Sequence, residues 1–113
     1  MKKYTLRFGK VNKETFEAIK NGKKTVETRA ASIKYQNIEA GDIIVLSCDG
    51  HKFEKKVKHA QTFKNIKSML RKYKIKSIEP KLSTADQLRD AYYSYTGYKE
   101  KIKKFGIIAM ELK

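Results

Sequence analysis

Lys24, Glu27 and Arg29 lie close together in the stretch Asn21-Gly22-Lys23-Lys24-Thr25-Val26-Glu27-Thr28-Arg29. A lysine, a carboxylate and an arginine at this spacing can do two kinds of chemistry. In a binding site, Arg29 and Lys24 hold a phosphate or a base edge, with Lys23 as a further ligand cation. Glu27 then orients Arg29 or accepts from an exocyclic amine. In an enzyme, a desolvated Lys24 acts as base or nucleophile and Glu27 moves the proton. A salt-bridged surface strand without function is the plain alternative.

The elements around the motif must place these groups. Gly22 takes a left-handed backbone without strain and so ends a helix. Val26 and Thr28 suit a strand, and their alternation with Glu27 and Arg29 puts both charges on one face. Lys24 sits at the turn, where alternation does not set its direction. Upstream, Tyr4, Leu6 and Phe8 alternate with Thr5 and Arg7, the pattern of a half-buried strand. Asn12 is positioned as an N-cap, Val11 and Phe16 have the spacing of a hydrophobic staple, and Phe16 and Ile19 face the core from a short helix.

Residues 30–40 show no clear period and read as a helical turn or an ordered loop. Gly41-Asp42 turns into the apolar run Ile43–Leu46, expected to be a buried strand. Asp49-Gly50 is a hairpin signal, with Lys52 to Thr62 as the returning strand. From Phe63 the period changes. Phe63, Ile66, Leu70 and Tyr73 fall on one helical stripe, and Lys64, Lys67, Arg71 and Lys74 on another. Glu79-Pro80 ends helical structure. Ser83 and Asp86 resemble a capping box for a helix whose core face is Leu88, Ala91, Tyr92 and Tyr95. A lysine-rich connection after Thr96-Gly97 leads to a last strand. Tyr93 and Tyr98 fall off the apolar stripe, where their rings are candidates for base stacking.

The chain has 113 residues, enough for one core and too few for two, so residues 1–113 are expected to form a single domain. Lys and Arg number 27 against 12 Asp and Glu, a formal charge of +15. Residues 52–76 hold ten Lys or Arg and a single acid, Glu54. Such self-repulsion is relieved by a polyanionic partner, and RNA is the expected one, with a small nucleoside ligand as the alternative. There is no apolar run long enough to span a membrane and no lipidation motif, so no membrane partner is expected. One cysteine, Cys48, excludes an internal disulfide. Cys48, His51 and His59 are too few and too irregularly spaced for a structural zinc site, and no cofactor motif is present. The basic N-terminus lacks the apolar stretch of a signal peptide, leaving the cytoplasm as the default location and a monomer as the expected state.

Gly22, Lys24, Glu27 and Arg29 resemble the Gly-x-Lys-x-x-Glu-x-Arg signature of ASCH domains, small members of the PUA-like superfamily. Gly41-Asp42 with Ile43–Leu46, and Phe105-Gly106-Ile107-Ile108-Ala109-Met110, are similar to two further landmarks of that family in order and spacing. The resemblance implies an α+β fold, a PUA-like mixed β-barrel with short helices at the rim, and binding of RNA. One branch of the family removes the acetyl group from acetylcytidine with a lysine, a threonine and a glutamate. Lys24 matches the lysine, but Glu27 stands where that branch has its threonine, and a carboxylate cannot do a hydroxyl's work. Glu79 is the nearest acid by region to the third group. The expected function is therefore RNA or nucleotide binding in a cleft lined by the motif. The alternatives are a small amidohydrolase acting on a modified nucleoside and a basic accessory protein of a ribonucleoprotein.

Overall fold

A computed structural model describes residues 1–113, Met1 to Lys113. Five strands form one curled sheet: β1 (Lys3–Phe8), β2 (Val26–Ala30), β3 (Ile43–Cys48), β4 (His51–Phe63) and β5 (Ile107–Leu112). Their spatial order is β1-β3-β4-β5-β2. β1 runs parallel to β3, with Leu6 opposite Leu46, and the other pairs are antiparallel. The architecture is α+β, a curled half-barrel of the PUA-like kind in which β1 and β2 are the two ends of the sheet.

Local sequence explains most of the turns. Asp49 and Gly50 both take positive φ, 48° and 84°, the geometry of a tight turn between antiparallel strands. Their register, Cys48 opposite His51, follows directly. Asp42 fixes the entry to β3 through its side chain, which accepts from the backbone N–H groups of Lys2 and Glu39. Ile43–Leu46 is a strand as expected, but it alternates half-buried and buried residues and is not buried throughout.

Five helices cover the sheet: α1 (Lys13–Lys20), α2 (Ile66–Leu70), α3 (Ile75–Ile78), α4 (Ala85–Tyr93) and α5 (Tyr98–Phe105). They divide the interior into two clusters. Leu6, Phe16, Ile19, Ile44, Leu46, Val57 and Met110 belong to one. Val26, Met69, Tyr73, Ile78, Leu88, Ile102 and Ile107 belong to the other.

Several sequence expectations are corrected here. The staple between Val11 and Phe16 does not form: a short 3-10 turn (Lys10–Asn12) precedes α1 and leaves Val11 93% exposed. Asn12 occupies the N-cap position without capping; its side chain accepts from the Tyr95 hydroxyl instead. The helix expected over Phe63–Tyr73 is broken. β4 continues through Phe63, and Asn65 caps the five-residue α2 by accepting from Ser68 N. Phe63 and Tyr73 still reach the core, so the apolar spacing was real while the helix was not. Lys64, Lys67, Arg71 and Lys74 are all exposed, yet only Lys67 lies within the helix, so they do not form a helical stripe. The capping box of α4 is Thr84 with Gln87, one residue later than Ser83 and Asp86. Tyr95 lies beyond α4 and is 48% exposed, and Ala91 is exposed as well. The lysine-rich connection is the helix α5.

Candidate functional site

β2 ends the sheet, so one of its edges has no neighbouring strand. An unpaired edge is a hazard that proteins manage with local caps. Here side chains make the caps. On alternate residues, Val26 O accepts from Lys24 Nζ at 2.7 Å, Thr28 N donates to Glu27 Oε1 at 3.1 Å, and Ala30 N donates to the Tyr98 hydroxyl at 3.0 Å. Two motif side chains and Tyr98 thus satisfy three backbone groups on the outer edge of β2.

Lys24 is turned inward and is 3% exposed. Its backbone N–H bonds to Ala18 O at the end of α1, which sets the turn. Its ammonium reaches three acceptors: Val26 O, Ile78 O and Glu27 Oε1, the last at 3.2 Å. An ammonium has three protons, so each has a destination. Glu27 is 5% exposed and carries charge on both sides. Its Oε2 accepts from Arg29 Nε at 3.3 Å and Nη2 at 3.2 Å, while Oε1 holds Lys24 and the Thr28 N–H. Burial alone would raise the Glu27 carboxyl. The Lys24 ammonium, the Arg29 guanidinium and the Thr28 N–H together outweigh it and hold the group below its ordinary range. Burial likewise opposes the charge of Arg29, and Glu27 more than offsets it.

Arg29 is the member of the motif that faces outward. Glu27 holds it through Nε and Nη2, and Nη1 bonds to no protein atom. Its guanidinium carbon lies 5.1 Å from the centroid of the Phe8 ring, a cation–π contact that bridges from β2 to β1. Beside it lies a cavity of about 490 Å³ lined by the end of β1, α1, β2, the segment after α3, α4 and Tyr98. That volume suits a nucleotide-sized ligand. Arg7, Lys24, Arg29 and Lys81 are the cations of its wall, and Glu27 and Glu79 the carboxylates.

The structure thus brings Lys24, Glu27 and Arg29 together and separates them from Lys23, which is exposed and does not line the cavity. Tyr98 lines the cavity, but it is half-buried. Its hydroxyl holds Ala30 N, and its ring lies 6.4 Å from Tyr92 and 5.7 Å from Tyr95. Burial raises its phenol, with the Ala30 N–H and Arg29 pulling the other way. Tyr93 lies elsewhere, 38% exposed, in a second groove of about 560 Å³ with Lys67 and Arg71. Lys64 and Lys74 are exposed outside both.

Sequence reasoning singled out Glu79 by its region alone and missed the contacts made around the motif by Thr15, Thr28 and Tyr92. Thr28 Oγ1 lies 2.5 Å from the buried Tyr92 hydroxyl, and Thr15 Oγ1 donates to Glu79 Oε2 at 3.2 Å. Only one signal pointed to Glu79: it is the sole acid between Glu54 and Asp86 in an otherwise basic stretch. No His, Cys, Asp or Glu cluster of three or more could hold a metal ion, and no helix is long and apolar enough to cross a membrane.

A curled half-barrel, with a basic cavity between its two end strands and the motif at the cavity wall, defines the class of protein. The chain belongs to the ASCH domain family, which matches residues 10–113. Two solved structures are similar along nearly the whole chain. The crystal structure of hypothetical protein PH0355 is 31% identical, with a TM-score of 0.84, covering 100% of this chain and 98% of that one. The solution NMR structure of protein PF0455 from Pyrococcus furiosus is 27% identical, with a TM-score of 0.74, covering 98% and 96%. No curated protein matches the chain.

Proposed function

We propose that the protein binds RNA, or a nucleotide-like portion of it, in the cavity beside Arg29. One observation carries this reading: Lys24 and Glu27 are fully engaged with each other and the backbone, while Arg29 is braced by Glu27 with Nη1 free. A guanidinium held this way is a preorganised clamp for a phosphate or a base edge. The formal charge of +15 supplies the long-range attraction. Lys67, Arg71 and Tyr93 in the second groove offer phosphate contacts and a ring for a strand that extends beyond the cavity.

The amidohydrolase reading asks Lys24 to take a proton or attack a carbonyl. Its ammonium already donates to two backbone carbonyls and to Glu27, a geometry suited to a fixed cation. Binding therefore ranks first.

Fluorescence anisotropy with labelled single-stranded RNA tests the proposal. Arg29→Lys keeps the charge and removes the fork, so affinity is expected to fall about tenfold or more, with an unchanged salt slope. Wild-type affinity in Arg29→Lys would refute the clamp. Acetate release from acetylcytidine that is abolished in Lys24→Ala would replace the binding reading with the enzyme one.

A further inference from the structure

We infer that the outer face of β1, β3 and the first half of β4 holds the phosphate backbones of an RNA duplex. This rests on the binding reading above and adds the form of the RNA to it, a paired stem beside the unpaired segment in the cavity.

The strand register sets out this face. Lys3, Ile43 and Lys56 make one row across the three strands, and Arg7, Ser47 and Lys52 make another. Val45 and Glu54 share the row between them. The opposite face fills the first core cluster with side chains such as Leu6, Ile44 and Leu46. Ile43 and Val45 belong to neither cluster, and Lys3, Arg7, Lys52 and Lys56 are exposed, so the outer face lies open. Farther along β4, past the bulge at Val57 and His59, Lys72 adds another cation. Its ammonium donates to Gln61 Oε1 at 2.9 Å and lies 3.0 Å from His59 Nε2. An ammonium held by an amide and an imidazole is positioned without being neutralised, and it keeps a proton for an anion.

The face selects its partner by charge and by what it lacks. Its cations stand in two columns, Lys3 with Arg7 on β1 and Lys52 with Lys56 on β4. Two strand spacings set the columns about 10 Å apart, and four residues set the members of each about 13 Å apart. A single strand covers one column. A duplex presents two backbones, whose phosphates face each other across a groove and meet both. No aromatic ring stands on this face to stack an unpaired base. Charged side chains take up most of it, unlike the centre of a protein–protein interface. Glu54 is the one acid there, bonded to Lys3 at 3.2 Å with both side chains more than half exposed. Such a pair contributes little, so a phosphate displaces it at small cost. Arg7 also lines the cavity, so the face and the cavity adjoin at the end of β1.

Fluorescence anisotropy tests this with a hairpin RNA carrying a single-stranded extension, and with the extension alone. The hairpin is expected to bind about tenfold or more tighter. Its slope of log affinity against log salt should be steeper, by about 0.9 for each further phosphate neutralised. Lys52→Glu with Lys56→Glu should bring the two affinities together. Lys103→Glu with Lys104→Glu, an equal change of charge on α5, should leave their ratio unaltered. Equal affinities in the wild-type protein, or a ratio that survives in the Lys52 and Lys56 variant, overturn the inference and leave the cavity reading standing. A ratio lost equally in both variants assigns the effect to bulk charge and overturns it too. Polyglutamate that binds as tightly as the hairpin, with the same loss in the Lys52 and Lys56 variant, would give the face to an acidic protein instead. Failure of the wild-type protein to bind either RNA overturns both readings. The wild-type comparison needs no variant, so a poorly folded one cannot shield the idea.

Discussion

The Lys24 ammonium lies 3.2 Å from Glu27 Oε1, with the two side chains only 3% and 6% exposed. A buried pair of this kind gains attraction at the cost of desolvating both ions, so its net contribution is small. Removing one partner is another matter, because it strands the other charge.

Lys24→Met should therefore destabilise the fold by about 3–5 kcal/mol. It leaves Glu27 with Arg29 alone and orphans the Val26 and Ile78 carbonyls. For a domain of this size the melting temperature should drop by at least ~12 °C. Adding Glu27→Leu to it should cost less than the sum of the two single changes, measured by chemical denaturation. A loss below about 1 kcal/mol in Lys24→Met would show that the pair does not hold the turn.

Glu27 also sets a pH dependence. Its folded value lies below the ordinary 4.5, so between those two values the unfolded chain binds more protons than the folded one. Its stabilising contribution is complete above the unfolded value and is lost as pH falls through the folded one. Asp42 acts in the same sense, since Lys2 N and Glu39 N overcome the effect of its burial. Denaturation midpoints should fall on acidification from about pH 6 to about pH 3, and more gently in Glu27→Gln. An equally steep fall in that variant would move the effect to other groups.

Gly106 should not tolerate a side chain. It has φ 81°, and a Cβ there would stand 2.4 Å from Phe63 O, in the backbone of β4. With ψ at −167° this backbone is one that essentially only glycine adopts, at a cost of about 1–3 kcal/mol for a residue with a Cβ, and the collision adds to it. Gly97 has a similar φ of 75° with open space around it. Gly106→Ala should lower the melting temperature clearly more than Gly97→Ala. Equal effects would mean that β4 yields at no cost.

The basic segment makes a separate forecast. Lys64, Lys67 and Arg71 are exposed and none of them is in a salt bridge. Changing all three to glutamate should weaken RNA binding. It should also flatten the slope of log affinity against log salt, by about 0.7 for each phosphate of a single strand that is no longer neutralised. Melting should change little. Unaltered affinity across the salt series would make these cations a solubilising face.

Much of the fold was legible because it is local. Period-two alternation marks β1, Asp49-Gly50 marks the hairpin, and Gly22 ends α1, each through backbone preferences that act over a few residues. The motif was legible for the same reason, since Glu27 and Arg29 share a strand face and meet there. The break at Asn65 was less so, because Phe63, Ile66, Leu70 and Tyr73 keep helical spacing while lying on a strand, a short helix and a turn. Tertiary structure alone decided the direction of Lys24, set by the carbonyl of Ile78 54 residues away. It also decided the capping of Ala30 by Tyr98, at a separation of 68, and the pairing of Thr15 with Glu79, at 64. These contacts depend on which elements the curled sheet brings to its open seam. Residue spacing along the chain carries no information about that until the core has packed, because burial is a property of the whole assembly of elements and periodicity a property of each one.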